Sequence, residues 1–191
     1  MKIAITGGIG SGKSYICRML AGRGIQVYDC DAAAKRLMAG DKALQDAISL
    51  LTGQKVYEDG VLQKKVLARY LLNNEGHRQA LNDVIHPVVA SDFVRSGKDW
   101  LESAIFFDSG FNRRVNMDVV VCVSAPMEVR IQRVMSRDGI SRGKALQWIR
   151  SQLPQEEVEK RSDLVIINDG KVDLKGEVER LFQTLAQWPI R

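Results

Sequence analysis

Cysteine is scarce in this 191-residue chain, and the three present, Cys17, Cys30 and Cys122, stand far apart with no CxxC pair. No histidine falls at metal-ligand spacing from them, which argues against a structural zinc site. An odd, scattered set of thiols suits a reducing compartment. Aromatic residues make up only 6% of the chain, too few for the interleaved basic and aromatic stripe of a nucleic-acid-binding surface. No apolar run approaches the ~20 residues that cross a bilayer. Met1 to Ile5 runs straight into a glycine loop, leaving no room for a signal peptide. The expectation is a cytoplasmic protein with neither a nucleic-acid nor a membrane partner. Internal repeats, low-complexity linkers and an NKxD guanine-specificity motif are missing as well.

Basic residues outnumber acidic ones, 28 to 23, for a formal net charge of +5. That balance suits an anionic ligand, and equally an ordinary basic surface. The length holds one α/β domain with an insertion. Short apolar runs at 2–6, 25–28, 104–107, 118–123 and 164–167 predict five strands, apolar on both faces as in a parallel sheet covered by helices. Helical patterns follow at 13–23 and 174–188, the latter stopped by Pro189. Between 32 and 100 no run predicts a strand; the patterns are helical at 43–51, 63–72, 76–85 and 87–95, with Pro87 opening the last. The expected organisation is a core of 1–31, 101–126 and 153–191, a helical substrate-binding insertion at 32–100 and a small lid at 127–152. The lid segment carries Arg130, Arg133, Arg137, Arg142 and Arg150. Nothing in the residues specifies an oligomeric state.

Gly7-Gly8-Ile9-Gly10-Ser11-Gly12-Lys13-Ser14 matches GxxxxGK[ST] in full, placed between the first strand and the first helix. Glycines at Gly8, Gly10 and Gly12 let successive N–H groups, with that of Ser11, turn toward phosphate oxygens. Lys13 reaches the β- and γ-phosphates of ATP, the Ser14 hydroxyl is a ligand for Mg²⁺, and the helix start adds its positive end. The fold class predicted is a three-layer α/β P-loop NTPase with a five-stranded parallel sheet. A short chain without NKxD, bearing a helical insertion and an arginine-rich lid, favours a small-molecule kinase over a GTPase or motor.

Asp29 and Asp31 follow the second strand at the sheet edge that faces ligands. Read as extended residues with one between them, they point the same way. One can accept a proton from an acceptor hydroxyl while the other orients Mg²⁺ waters. The alternative is that the pair caps the next helix.

These residues together resemble the dephospho-coenzyme A kinase family. Thr6 to Ser14 is similar to the family's opening, Gly24 to Asp31 to its G-x-x-V-I-D-A-D segment, and Gly60-Val61-Leu62 to the start of its G-x-L-x-R run. Ile85-His86-Pro87 resembles its HP signature, Arg133 to Gln152 its R-x-x-x-R-D…Q lid, and Ser162 to Asn168 its closing A-D-x-V-I-x-N. The resemblance covers almost the whole chain. It implies ATP-dependent phosphorylation of the ribose 3′-hydroxyl of dephospho-coenzyme A, with ATP and Mg²⁺ required.

The resemblance also implies roles. Asp31 is the catalytic base, and Lys13 and Arg137 stabilise the transferring phosphoryl group. Arg133 and Asn168 lie on the ATP side, Asn168 near the adenine, and Asp29 and His86 lie on the substrate side. Three positions depart from the family pattern. Tyr15 replaces a Thr at a position that contributes mainly a backbone N–H to ATP binding. Lys64 stands where a substrate-side Arg falls, keeping the charge but losing the bidentate fork. Asp108, placed with the substrate-side residues, ends Ala104-Ile105-Phe106-Phe107 where the family has Pro-Leu-Leu-Phe-Glu, as a Walker-B-like acid or one step back from the metal. A kinase for another small acceptor, such as a nucleoside monophosphate, is the nearer rival. A nucleic-acid-linked ATPase is the more distant one.

Overall fold

The computed structural model describes residues 1–189; residues 190 and 191, the end of the expected core segment 153–191, lie outside the described residues. The chain divides into two compact units, Met1–Tyr28 with Lys98–Arg191, and Asp29–Gly97.

In the first unit, strand β1 (Ile3–Thr6) leads through the glycine loop into helix α1 (Lys13–Ala21), and β2 (Val27–Asp29) follows. The second unit holds helices α2 (Cys30–Gly40) and α3 (Lys42–Thr52), the hairpin β3 (Tyr57–Glu58) and β4 (Val61–Leu62), then α4 (Lys64–Asn73) and α5 (Glu75–Arg95). The first unit resumes with β5 (Trp100–Glu102), β6 (Val119–Ser124), α6 (Met127–Asp138), α7 (Arg142–Arg150), α8 (Gln155–Lys160), β7 (Leu164–Ile167) and α9 (Leu174–Ala186).

The sheet is five-stranded and parallel, in the order β2-β5-β1-β6-β7. Ile3 pairs with Trp100 on one side and Val119 on the other, so β1 is central. Side chains alternate between faces along a strand. Ile3, Ile5, Val119, Val121 and Val123 accordingly share one face, where they pack against Ile16 and Leu20 of α1 and Val178, Leu181 and Leu185 of α9. Each such fully enclosed Leu, Ile or Val side chain contributes about 1.5–3 kcal/mol. A smaller cluster of Ile131, Val134, Ala145 and Ile149 holds α6 to α7, with Ile9 packed against it.

The third strand in chain order within this sheet differs from expectation. It is Trp100–Glu102, and Ala104 to Phe107 lies in a run of turns instead. The apolar letters there mark burial rather than extension: Phe106 and Phe111 are enclosed, and the Phe106 ring meets Phe107 edge-on at 5.2 Å.

In the second unit α5 packs against α2, α3 and α4, burying Leu81, Ile85, Val89, Ala90 and Phe93. It runs unbroken through Pro87, where two helices were expected. Proline removes one i→i−4 bond, and the packed face on both sides of it holds the helix together. His86 is therefore an interior residue of α5 rather than a helix boundary. The hairpin is the other departure, in a stretch expected to hold no strand. Asp59 and Gly60, at φ 48° and 78°, form its turn, the Asp-Gly pair suited to two positive φ angles. Helix α2 also begins earlier than the extended Asp29/Asp31 pair requires: Asp29 is its N-cap and Asp31 lies in its first turn.

Candidate active site

The glycine loop closes on itself through Ser11 N–H donating to the Gly8 carbonyl at 3.1 Å. Gly12, at φ 96°, precedes α1 in the left-handed region, and no side chain caps the helix. The first N–H groups of a helix lack intrahelical partners and attract anions. A Cβ on Gly12 would stand 2.1 Å from Asn168 Nδ2, so both the backbone angle and the close approach require glycine there. Ser11 is fully buried, and its Oγ has no hydrogen-bond partner, an inward polar atom within the loop.

Lys13, the first residue of α1, folds back over the loop. Its Nζ donates to the Gly8 carbonyl at 3.5 Å and lies 3.7 Å from Glu102 Oε1. Glu102 is the carboxylate at the end of β5, a place the sequence reading gave to Asp108. The missed signal is positional: Glu102 closes a strand beside β1, but Trp100-Leu101-Glu102 is too short to stand out. Asp108 does not end a strand. It is exposed within the turns that follow, where its Oδ2 accepts from Leu153 N–H at 2.8 Å. Ser14 and Tyr15 are exposed on the first turn of α1; the Tyr15 N–H turns back to the Gly12 carbonyl at 3.0 Å.

Arg133 and Asn168 meet at the loop. Arg133 Nη1 donates to the Ser11 and Asn168 carbonyls at 3.2 and 3.1 Å, and its Nη2 to Asn168 Oδ1 at 3.0 Å. Asn168, buried at the end of β7, donates from Nδ2 to the Ser11 carbonyl at 2.9 Å. Both ends of its amide are thus engaged in holding the loop.

Arg137, at the last turn of α6, is exposed and donates to the Asp138 carboxylate, its Nη2 reaching Oδ2 at 2.7 Å. That neighbour raises the Arg137 pKa and lowers that of Asp138. Arg142 clasps Glu128 with two bonds of 2.8 and 2.6 Å, tying the start of α7 to the start of α6. Behind the loop, burial pushes the Cys122 thiol up to about 12, so it stays neutral at every working pH.

In the second unit, Asp29 Oδ1 accepts from Ala32 N–H at 2.8 Å, capping α2, while Asp31 is exposed in the same turn. Lys64 and Lys65 are exposed at the start of α4, where no side chain caps the helix. His86 is half-buried in α5.

A phosphate loop between β1 and α1 of a parallel sheet, with arginines on the helix beyond β6, defines a P-loop kinase. The chain belongs to the dephospho-CoA kinase family, whose model matches residues 1–173. It is 40% identical over 194 residues to a dephospho-CoA kinase of Bacteroides fragilis, covering 98% of this chain and 94% of that one. The crystal structure of a Thermus thermophilus protein, 32% identical, superposes with a TM-score of 0.77, covering 100% of this chain and 98% of the other. A dephospho-CoA kinase from Campylobacter jejuni, 23% identical, has the same fold at a TM-score of 0.66, with 98% of each chain covered.

Proposed function

We propose that this kinase transfers the γ-phosphoryl group of ATP to the ribose 3′-hydroxyl of dephospho-coenzyme A, giving coenzyme A and ADP. The observation that carries the reading is the complete phosphate loop, with Lys13 folded over it, in a chain of this family. Lys13 and the inward N–H groups hold the β- and γ-phosphates, and their charge matters most as the phosphoryl group separates from its leaving oxygen. Asp31 takes the proton from the 3′-hydroxyl as that oxygen bonds to phosphorus, and the β-phosphate oxygen leaves with ADP. Arg137 exchanges Asp138 for the γ-phosphoryl group when the α6–α7 segment closes over the nucleotide.

Magnesium fits this residue set. Among the described residues no cluster of three His, Cys, Asp or Glu gathers to hold a metal. Mg²⁺ arriving with ATP needs no such cage, because phosphate oxygens and waters fill most of its shell. The exposed Ser14 hydroxyl supplies a protein ligand. An ion held there would supply positive charge to the triphosphate.

The size of the second unit supports the named acceptor over a nucleoside monophosphate. Four helices and a hairpin are more than an adenosine moiety needs. A pantetheine arm and a pyrophosphate offer remote contacts whose binding energy holds the 3′-hydroxyl in place. Lys64 and Lys65, with the open start of α4, suit the pyrophosphate, and His86 lies in the same unit. A cytoplasmic location accords with a CoA precursor as substrate, and no helix among the described residues is long and apolar enough to cross a membrane.

The test compares kcat/KM for dephospho-coenzyme A, AMP and adenosine, with mass spectrometry locating the added phosphate. Dephospho-coenzyme A is expected to be far the best acceptor. Equal values for all three would withdraw it.

A further inference from the structure

Helix α6 lies along the outside of the phosphate loop, and its arginines take up the loop's outward carbonyls in order. Arg130 Nε donates to the Ile9 carbonyl at 3.0 Å. Arg133, one turn on, donates from Nη1 to the carbonyls of Gly10 and Ser11 at 3.4 and 3.2 Å. Ile9 is gripped from its other side as well, because its N–H donates to Gln152 Oε1 at 2.7 Å. Arg130 and Gln152 stand near opposite ends of the α6–α7 segment, one in the first turn of α6 and the other two residues past α7.

We infer that Arg130 and Gln152 are positioning residues that clamp both backbone groups of Ile9 and so set the shape of the phosphate loop from the two ends of the α6–α7 segment. This rests on the kinase reading above for its consequence in turnover, but not for its geometry.

Three features of the site carry the inference. First, a carbonyl drawn outward turns the N–H of the same peptide inward, which is the arrangement an anion-binding nest requires. Second, the loop is built around Arg130. A Cβ on Gly8 would lie 2.2 Å from Arg130 Nη2 and 3.3 Å from Gln152 Oε1, and one on Gly10 would lie 2.7 Å from the Arg130 carbonyl. Third, Arg130 is 2% exposed, and its hydrogen bonds run to neutral acceptors, the Ile9 carbonyl and Gln155 Oε1 at 3.1 Å. Burial lowers the Arg130 pKa, and the charge of Glu156, which acts on it without a hydrogen bond, partly opposes that. Enclosing a cation whose hydrogen bonds run only to neutral oxygens is unfavourable, and an anion in the loop adds to the compensation.

Gln155 completes the clamp, for its Nε2 donates to the Ser124 hydroxyl and the Ala125 carbonyl at 2.5 and 3.1 Å and so ties Arg130 to the end of β6.

The test is calorimetric binding of Mg·ATP and of ADP to Gln152→Leu, Gln152→Glu, Arg130→Met and the double variant Gln152→Leu/Arg130→Met, with melting of each ligand-free protein. Binding of nucleotide alone needs no acceptor, so a wrong acceptor leaves this experiment intact. Gln152→Leu, which keeps the shape and loses the acceptor oxygen, is expected to weaken ATP and ADP binding about tenfold, the order of one lost hydrogen bond to a loop that must be held in register. Gln152→Glu, which keeps an acceptor oxygen, restores binding to within roughly threefold of the parent. The double variant loses little more than Arg130→Met alone, because either break releases Ile9. In turnover assays KM for ATP rises in Gln152→Leu while KM for the acceptor is unmoved. Nucleotide binding unchanged in Gln152→Leu would overturn the inference. So would losses that multiply in the double variant, or a Gln152→Glu protein no better than Gln152→Leu. Should Arg130→Met fail to fold, the Leu and Glu variants at Gln152 still decide the matter.

Discussion

Lys13 Nζ and Glu102 Oε1 lie 3.7 Å apart, with the two side chains 8% and 15% exposed. Removing one charge of an enclosed pair leaves the other under-compensated, whereas removing both does not. Lys13→Met is expected to lower stability by about 1–3 kcal/mol, and Glu102→Gln in the same chain to recover most of that loss. Turnover stays down by ~10²–10³ in both, because the lysine charge acts on the separating phosphoryl group. Urea denaturation and a phosphoryl-transfer assay measure the two effects. Stability losses that simply add would mean the residues are uncoupled.

Asp29 and Asp31 separate by the kind of loss. Asp29 caps α2 through Ala32 N–H, so Asp29→Ala costs about 1 kcal/mol in thermal or urea melts while Asp29→Asn, also a good cap, costs little. Asp31→Asn leaves stability alone and lowers kcat by about 100-fold or more, the loss of a general base. The reverse pattern would move the base to Asp29.

Arg137→Ala is expected to depress kcat more than it weakens ATP binding. The guanidinium is held by Asp138, and in the proposed mechanism it meets the phosphoryl group only on closure, so its stabilisation is realised late. Parallel losses in ATP affinity and in kcat/KM would make it a ground-state contact.

Cys122 supplies a pH test. Its folded pKa, about 12, lies above the ordinary thiol value of 9.0 because burial disfavours the thiolate. The stability this contributes is complete below about pH 9 and is lost as pH rises toward 12. Cys122→Ala should flatten that alkaline decline in melting temperature. Iodoacetamide at about pH 8.5, near the pKa of a free thiol, should spare Cys122 in the native protein and label it in urea. Labelling at equal rates in both states would mean the thiol is open to solvent.

What the residues disclosed in advance followed the range of the forces involved. The loop from Gly7 to Ser14 was legible because its chemistry is local: glycine angles, a lysine at a helix start, a hydroxyl beside it. The resemblance carried the family. Glu102 was overlooked because three residues of strand carry almost no periodic signal, while Ala104 to Phe107, apolar throughout, mimics a strand and instead lines a turn around Phe106. The Asp59-Gly60 hairpin escaped for the same reason, with two-residue arms. Pro87 suggested a break that tertiary packing along α5 overrides. Arg130 appeared only as one of five arginines on a segment, since its bond to Ile9 joins residues 121 apart in sequence. No local pattern announces such a contact.

The pairing of Ile3 with both Trp100 and Val119 also governs the order in which the molecule is made. Residues 29–97 form a contiguous unit whose helices pack on its last one, α5, and all of its chain is available once residue 97 has been made. Strand β1 is synthesised first yet has no neighbour until the chain has passed residue 100, and lacks its second until residue 119. Long-range pairings of this kind are slow to close. The loop that grips ATP is thus the earliest functional element to be translated and among the last to take shape.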